Sequence, residues 1–311
     1  MKAVTASSLP EQLLEIREVS EPIADSSEAL IQVTAFSLNR GELRRAQSAV
    51  EGARLGWDLV GVVVEPAQDG SGPREGKRVV GFSRRMHGWA ERVVLPTVDF
   101  KDIPKSVPDA DAATLPVAGL TALYALERCE RLLGSNVLIT GASGGVGYFA
   151  CQLAKMMGAR VVAQLRRSDF VQMVRETGAD DVIVSTDGSG LEAQGKFRAI
   201  IDGVGGSVLS KLLLQLDDGG RAILYGVSAG PVATLGVREL FMTGDGRIEG
   251  FHLYRESQVE PAAKGLGRLL GLLEQKRLSP YVAVKGNWKE IDAVAAQLID
   301  RDFPGKAVLT I

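Results

Sequence analysis

The most constraining feature of the sequence is an apolar run that passes through a glycine-rich turn into a helix-forming stretch. Residues Asn136–Thr140 have the sequence NVLIT, which is typical of a strand buried on both faces. Residues 141–147 have the sequence GASGGVG, and the stretch 146–157 has the apolar pattern of a helix. A second β-branched run, Arg160–Leu165, follows. This order predicts a βαβ unit with two parallel strands.

The turn in this unit has the spacing of a phosphate-binding loop. Ala142, Gly144 and Gly147 occupy the three fixed positions of the GxGxxG pattern. Gly144 lets the backbone approach a diphosphate, and Gly147 lets the helix pack closely on the strand. The helix N-terminus then offers free N–H groups to the phosphates. An ordinary glycine-rich turn is the alternative. The predicted cofactor-binding residues here are Ala142, Ser143, Gly144, Gly145, Val146 and Gly147.

The residues after the second strand predict which dinucleotide binds. An NAD site usually has an acidic residue about 20 positions beyond the turn, where it accepts hydrogen bonds from the ribose. Here Arg166, Arg167 and Ser168 follow the strand, with no acidic residue at the strand end. Because a guanidinium group matches a phosphate in geometry, these residues predict a pocket for the 2′-phosphate of NADP. A solvated basic turn is the alternative.

The chain changes character along its length. The first hundred residues contain short β-branched runs separated by glycine and proline, which is typical of a β-barrel or sandwich. After Pro116, strands and helices alternate, which predicts a parallel sheet with both faces covered. The tail ends in a further predicted strand, Lys306–Ile311.

Composition narrows the classes of partner. The net charge of -2 does not favour binding to nucleic acid or to an acidic membrane. Cys129 and Cys151 have no metal-ligand spacing and do not form a disulfide framework, and no apolar run is long enough to span a membrane. We therefore expect a soluble, cytoplasmic protein that acts on a small-molecule substrate.

Short segments along nearly the whole chain resemble the medium-chain dehydrogenase/reductase superfamily, in its zinc-free quinone oxidoreductase branch. Each segment is brief, but their order is specific. The segments are Ser37–Arg40 (SLNR), Gly56–Gly61 (GWDLVG), Gly88–Glu91 (GWAE), Pro116–Ala122 (PVAGLTA), Gly141–Gly147 (GASGGVG), Ile201–Gly206 (IDGVGG) and Phe303–Leu309 (FPGKAVL).

This resemblance implies an α/β protein in which a Rossmann-type doubly wound parallel sheet is inserted into a GroES-like, β-rich catalytic domain. The expected domains are residues 1–112 for the first part of the catalytic domain, 113–248 for the NADP-binding domain and 249–311 for the rest of the catalytic domain. Similar proteins have their active site in a cleft between the domains and usually form homodimers through the edge of the nucleotide-domain sheet.

The resemblance also implies roles for individual residues. Where zinc-dependent members carry Cys and His-Glu, this chain carries Asn39 and Trp57-Asp58, so no catalytic metal is expected. The Asn39 amide is expected to hold the nicotinamide or the substrate oxygen, although Asn39 is alternatively a plain turn residue. Four positions match cofactor-contacting segments of the family, with ordinary structural roles as the alternative: Thr121, Tyr225, Gly226 and Phe251.

The sequence does not reveal a proton donor. Some relatives that reduce enoyl thioesters carry a tyrosine in the interval that corresponds to residues 41–56, and here that interval has none. His87 and His252 are weaker candidates for lining the cleft, and Asp58 is expected to be structural. We therefore expect NADPH-dependent hydride transfer to a quinone or enone without zinc. The alternatives are a tailoring reductase of a polyketide-like or terpenoid ketone, and an NADPH-binding structural or sensing module with little turnover.

Overall fold

The computed structural model describes residues 1–9 and 11–311, without the side chains of Glu239 and Leu240. The described chain forms two compact units. The β-rich unit consists of Met1–Leu120 and Tyr254–Ile311, and the α/β unit consists of Thr121–Leu253. Within the described residues, no helix combines the length and the apolar character needed to cross a lipid bilayer.

The strands are β1 (Lys2–Ala6), β2 (Leu14–Glu18), β3 (Glu28–Ser37), β4 (Asp58–Glu65), β5 (Arg78–Phe82), β6 (Arg92–Pro96), β7 (Phe100–Asp102), β8 (Asn136–Ile139), β9 (Arg160–Leu165), β10 (Asp181–Val184), β11 (Phe197–Asp202), β12 (Leu216–Leu224), β13 (Arg247–Gly250), β14 (Val282–Asn287) and β15 (Lys306–Thr310). The helices are α1 (Arg40–Ala46), α2 (Asp109–Ala112), α3 (Leu120–Glu127), α4 (Gly145–Met156), α5 (Val171–Arg175), α6 (Gly206–Leu213), α7 (Val237–Phe241), α8 (Leu253–Val259), α9 (Ala262–Glu274) and α10 (Ile291–Asp300). A π-helical turn covers Leu115–Gly119, and 3-10 turns cover Thr97–Asp99, Ser168–Phe170, Glu192–Gln194 and Trp288–Glu290.

The α/β unit is built on a parallel sheet with the strand order β10-β9-β8-β11-β12-β13. Because β8 is the first of these strands in the chain, the order reverses between β8 and β11. This is the order of a Rossmann-type sheet, whose ligands bind beyond the carboxyl ends of the strands at the reversal. The predicted fold class is confirmed.

The β-rich unit combines strands from the first part of the chain with the two last strands, β14 and β15. Its larger sheet has the order β14-β15-β3-β4-β5-β7, and β6 also pairs with β3. The last strand, β15, pairs antiparallel with β3 so that Val308 lies opposite Ser37 and Leu309 opposite Phe36. Residues from the two ends of the chain therefore share one core.

A tryptophan lies at the centre of that core. Trp89 is fully buried and stacks on Phe36 with ring centroids 5.5 Å apart, and its indole N–H donates to the carbonyl of Ser37. Gly56 has a φ of +106°, and a Cβ there would lie 2.4 Å from Trp89. The GWDLVG segment therefore needs glycine at position 56, both for its backbone conformation and for its packing against Trp89.

The observed elements differ from the sequence expectation where glycines and turns break the pattern. The sequence pattern predicts a helix over residues 120–131, but α3 ends at Glu127, and the chain then turns through Arg131, which has a positive φ of 60°. The apolar run predicts a strand over residues 222–226, whereas β12 covers Leu216–Leu224, because Gly219 and Gly220 interrupt the pattern of its first half. Glycine in a strand removes the side-chain pattern on which strand prediction depends.

Candidate functional site

In the α/β unit, the glycine turn between β8 and α4 has a conformation that leaves no room for side chains at key positions. Gly141 has a φ of +60°, and its carbonyl accepts the N–H of Gly144, which caps α4. A Cβ on Gly147 would lie 2.5 Å from the carbonyl oxygen of Gly141 and 2.7 Å from the Cα of Ala142. Both obstacles are backbone atoms, so a side chain at Gly147 would displace the turn.

The residues predicted to cradle phosphates lie together at this turn. Ala142 and Gly147 are buried, Ser143, Gly145 and Val146 are half-buried, and Gly144 is exposed. The N–H groups of the first helical turn, from Gly145 to Gly147, have no acceptor within the helix by its geometry. They therefore present donors and the positive end of the helix dipole to an anion.

A buried glutamine that the sequence analysis did not single out supports the turn. The side chain of Gln164, on β9, accepts from the backbone N–H of Gly141 at 3.1 Å and donates to the carbonyl of Ser185 at 2.5 Å. Its backbone carbonyl accepts the N–H of Ala142. A polar residue inside a strand that is otherwise apolar was the available signal.

Asp202, also missed, ties together the two strands at the reversal of the sheet. Its carboxylate accepts from the hydroxyl of Thr140, after β8, at 2.6 Å and from the N–H of Gly205 at 2.8 Å. Asp202 is fully buried, and burial raises the pKa of its carboxyl group. The strand ends where a ligand is expected are therefore fixed by hydrogen bonds.

The two arginines after β9 lie in different surroundings. Arg166 is exposed, whereas Arg167 is half-buried and its guanidinium lies 4.7 Å from the ring centroid of Phe170. Arg167 also forms an ion pair with Asp169 at 2.8 Å, and this hydrogen bond holds the pKa of the Asp169 carboxyl below its usual value. Ser168 is exposed. An acidic residue thus does lie beside the strand end, beyond the positions considered in the sequence.

The remaining predicted cofactor residues fall on other strand ends of the α/β unit. The N–H of Tyr225 donates to the carbonyl of Asp202, and burial raises the pKa of the Tyr225 hydroxyl far above its usual range. A Cβ on Gly226 would lie 2.8 Å from a backbone carbonyl oxygen, that of Gly203. Phe251 is buried and follows β13, beside β12.

Thr121 belongs to a helix and does not follow a strand. It lies in the first turn of α3 and is 5% exposed. Its part in cofactor binding stays a prediction.

In the β-rich unit, four polar side chains form a buried group that we call the Asp58 cluster: Ser37, Asn39, Asp58 and Lys306. The carboxylate of Asp58 accepts from the Ser37 hydroxyl at 2.5 Å, from Asn39 Nδ2 at 2.7 Å and from Lys306 Nζ at 3.2 Å. Its second oxygen accepts the N–H of Val117. A fully buried carboxylate needs such partners, because an unpaired one would cost several kcal/mol.

Lys306 belongs to the FPGKAVL segment, and its ammonium contacts both Asn39 and Asp58 of the cluster. It is 3% exposed, and its ammonium donates to Asn39 Oδ1 at 2.5 Å and to the carbonyl of Leu38 at 2.8 Å. The sequence offered one signal, a lysine that begins an otherwise apolar strand at the end of the chain.

A second buried carboxylate fixes the loop that carries Asn39. Glu42 accepts from the backbone N–H of Asn39 and from that of Trp57, each at 2.6 Å. Burial raises the pKa of the Glu42 carboxyl well above its usual range. The indole of Trp57 donates to the hydroxyl of Tyr254 at 2.5 Å, and this hydroxyl donates to the carbonyl of Arg84.

The two histidines are in unlike settings. His87 is half-buried near Arg54 and Arg85, and burial together with these charges lowers the pKa of its imidazole to about 4. It is therefore neutral near neutral pH. His252 is exposed in the α/β unit.

Comparison with known proteins finds relatives along the whole chain. The sequence profile described as "Zinc-binding dehydrogenase" matches residues 145–266. The chain is 26% identical to quinone oxidoreductase-like protein 2 of Bos taurus, over 96% of this chain and 89% of that protein. It is 28% identical to acryloyl-coenzyme A reductase of Metallosphaera sedula, over the full length of both. These matches show that the chain is similar to proteins of the medium-chain dehydrogenase/reductase superfamily.

The chain is an oxidoreductase, and the proteins to which it is similar include several of the quinone oxidoreductase-like type. Its fold matches the quinone oxidoreductase of Thermus thermophilus, which was solved alone and with NADPH, at a TM-score of 0.83 and 27% identity, with both chains covered completely. The resemblance drawn from the short sequence segments is therefore confirmed.

Proposed function

We propose that the protein is an NADPH-dependent reductase that delivers hydride, without zinc, to a quinone or to an alkene conjugated with a carbonyl group. The observation that carries the proposal is the glycine turn on α4 together with Arg166 and Arg167 at the end of the neighbouring strand β9. The similar protein of Thermus thermophilus that was solved with NADPH supports the choice of cofactor.

The α/β unit has the donors that an NADPH molecule requires. The N–H groups of Gly145, Val146 and Gly147 are suited to the diphosphate, and the guanidinium groups of Arg166 and Arg167 to the 2′-phosphate. Ala142, Ser143, Gly144 and Ser168 complete the proposed contacts, with Thr121, Tyr225, Gly226 and Phe251 as further contacts. When bound, the reduced nicotinamide supplies the hydride.

The positions that hold zinc in related enzymes do not suit the metal here. They carry the amide of Asn39, the indole of Trp57 and the carboxylate of Asp58, and thiolate and imidazole ligands are absent from this set. The Asp58 carboxylate is already bound by the ammonium of Lys306, and a second cation beside that ammonium would be repelled. We therefore derive no step through a metal.

On the acceptor side, the proposed residue is Asn39. Hydride addition to a conjugated carbon moves negative charge to the carbonyl oxygen, which a preorganised N–H donor stabilises. A proton from solvent then completes the reduction, since residues 41–56 offer no tyrosine as a donor. In this proposal the β-rich unit is the catalytic domain and the α/β unit is the cofactor domain.

The homodimer stays a proposal from the family resemblance. Size-exclusion chromatography with light scattering tests it, and a monomeric mass over the working concentration range would contradict it.

Steady-state oxidation of NADPH and NADH with a panel of quinones, enones, an acryloyl thioester and simple aldehydes tests the activity. We expect NADPH to be oxidised with quinones or enones, and EDTA treatment to leave the rate unchanged. Tight NADPH binding without turnover of any acceptor would instead favour the binding-module alternative. Activity that is lost with EDTA and restored by zinc would contradict the zinc-free mechanism.

A further inference from the structure

Lys306 places a full positive charge inside the β-rich unit, where its surroundings fix its position. Its ammonium donates to the carbonyl of Leu38, to Asn39 Oδ1 and to Asp58 Oδ2. A lysine ammonium has three N–H donors, so each has an acceptor here. Burial of the charge is tolerated because every donor is satisfied.

The two charged groups bind the Asn39 amide by its two different ends. An ammonium can only donate and an ionised carboxylate can only accept. Lys306 therefore selects Oδ1 of the amide, and Asp58 selects Nδ2. A reversed amide would set its N–H groups against the ammonium and its oxygen against the carboxylate. One orientation of Asn39 is thus imposed by charge.

This orientation leaves one donor of Asn39 available. Asp58 takes one of the two Nδ2–H groups, and the second has no acceptor among the described protein residues. The side chain of Asn39 is half-buried, not sealed. A fixed N–H group without a protein partner is suited to an oxygen on which negative charge develops.

We propose that Lys306 is a positioning residue for the acceptor: with Asp58 it locks the Asn39 amide as a hydrogen-bond donor to the carbonyl oxygen of the substrate. The inference rests on the proposed function and applies to acceptors whose hydride-accepting carbon is conjugated with a carbonyl group. The hydride brings an electron pair to that carbon, the conjugated electrons move to the oxygen held by Asn39, and solvent supplies the proton.

A purely structural role for Lys306, as the counter-ion of Asp58, predicts different kinetics. If Lys306 acts through Asn39, then its removal matters only while the Asn39 amide is present. If Lys306 only stabilises the fold, its removal costs the same in either background. A double-mutant cycle separates the two cases.

The cycle consists of wild type, Lys306→Met, Asn39→Ala and the double variant, with kcat, acceptor KM and the NADPH dissociation constant measured for each. We expect Lys306→Met to lower kcat by roughly 10- to 100-fold with Asn39 present, as misplaced catalytic groups do. In the Asn39→Ala background we expect a further change of less than about 2-fold. The NADPH dissociation constant should stay unchanged throughout.

Lys306→Met leaves the buried Asp58 carboxylate without its cation and could therefore unfold the protein. A charge-balanced variant separates this effect from a loss of positioning. Lys306→Met with Asp58→Asn removes both charges, and an amide oxygen at position 58 can still accept from Ser37 or Val117. We expect this variant to fold and still to show the low kcat. Lys285→Met, on the exposed side of the neighbouring strand β14, is the matched control and should behave like wild type.

Equal losses in both Asn39 backgrounds, or a normal kcat in the charge-balanced variant, would overturn the positioning role while leaving the proposed function intact. Failure of the proposed function itself is recognised earlier, because the wild type would then oxidise NADPH with none of the acceptors. That result would overturn both.

Discussion

At the scale of single residues, Arg167 already contacts protein groups that a 2′-phosphate would have to share or displace. It pairs with Asp169 and stacks on Phe170. The exposed neighbour Arg166 has more freedom. In the proposed site, selectivity for NADPH would therefore depend on two guanidinium groups that attract the 2′-phosphate and one nearby carboxylate that repels it.

Replacement of both arginines tests whether their guanidinium groups bind the 2′-phosphate. We expect Arg166→Ala with Arg167→Ala to weaken NADPH binding by roughly 10- to 100-fold, because the 2′-phosphate loses its charged hydrogen-bond donors. NADH binding should change little, because NADH lacks this phosphate. Isothermal titration with each dinucleotide measures both constants. An equal loss for the two dinucleotides would show that the 2′-phosphate does not bind there.

The opposite-sign control is Asp169→Asn. Removal of this exposed carboxylate should strengthen NADPH binding by about 2- to 5-fold, a change in keeping with a surface charge. Weaker NADPH binding in this variant would contradict the placement of the phosphate beside Arg167.

His87 gives a prediction about pH. Its pKa is about 4 in the folded protein against a usual value of 6.5, so between these values the unfolded chain binds a proton that the folded protein does not. Stability therefore falls as the pH decreases through this window. We expect His87→Gln to lose less stability on acidification, by on the order of 1 kcal/mol after allowance for partial exposure. Urea unfolding across this range measures it, and parallel curves for the two proteins would refute the prediction.

At the scale of elements, two helical glycines with different surroundings have opposite expectations. Gly147 in α4 faces the backbone of the turn, whereas a Cβ on Gly271 in α9 meets nothing within 4 Å. We expect Gly147→Ala to destabilise the protein by about 1–3 kcal/mol and to weaken NADPH binding. Gly271→Ala should stabilise it by about 0.5–1 kcal/mol.

Thermal and urea unfolding of the two variants provide the comparison. A Gly147→Ala protein with wild-type stability and wild-type NADPH affinity would show that the close approach of helix and turn is not required.

The sequence predicted the elements whose pattern is local. Strand β9 has its predicted bounds, and β10 covers Asp181–Val184, the short apolar run that the sequence also predicts as a strand. Helix α1, Arg40–Ala46, was not predicted, because several arginines and glycine obscure its apolar face. The hydrogen bond from the backbone N–H of Asn39 to the Glu42 side chain, which caps this helix, was recognised only in the structure.

The polar residues of the site were predictable only in part, for a related reason. Asn39 lies in a recognisable segment, whereas Lys306 comes to it from far along the chain when β15 pairs with β3. Gln164 and Asp202 likewise act through hydrogen bonds to other strand ends. Such long-range pairing leaves no periodic trace in the sequence.

At the scale of the whole molecule, the proposed cofactor contacts lie in the α/β unit, and the Asp58 cluster lies in the β-rich unit. Most kinetic consequences should follow this division. Variants of Arg166 and Arg167 should alter the NADPH dissociation constant, and variants of Asn39 and Lys306 should alter kcat with the acceptor.

Transfer of deuterium tests the central claim of hydride delivery most directly. The protein is incubated with NADPH deuterated at the nicotinamide C4 position, on each face in turn, together with an enone, and the product is analysed by mass spectrometry and NMR. We predict that the deuterium of one face appears on the carbon β to the carbonyl group, while the proton at the α carbon comes from solvent. A reduced product that contains no deuterium from either face would contradict direct hydride transfer.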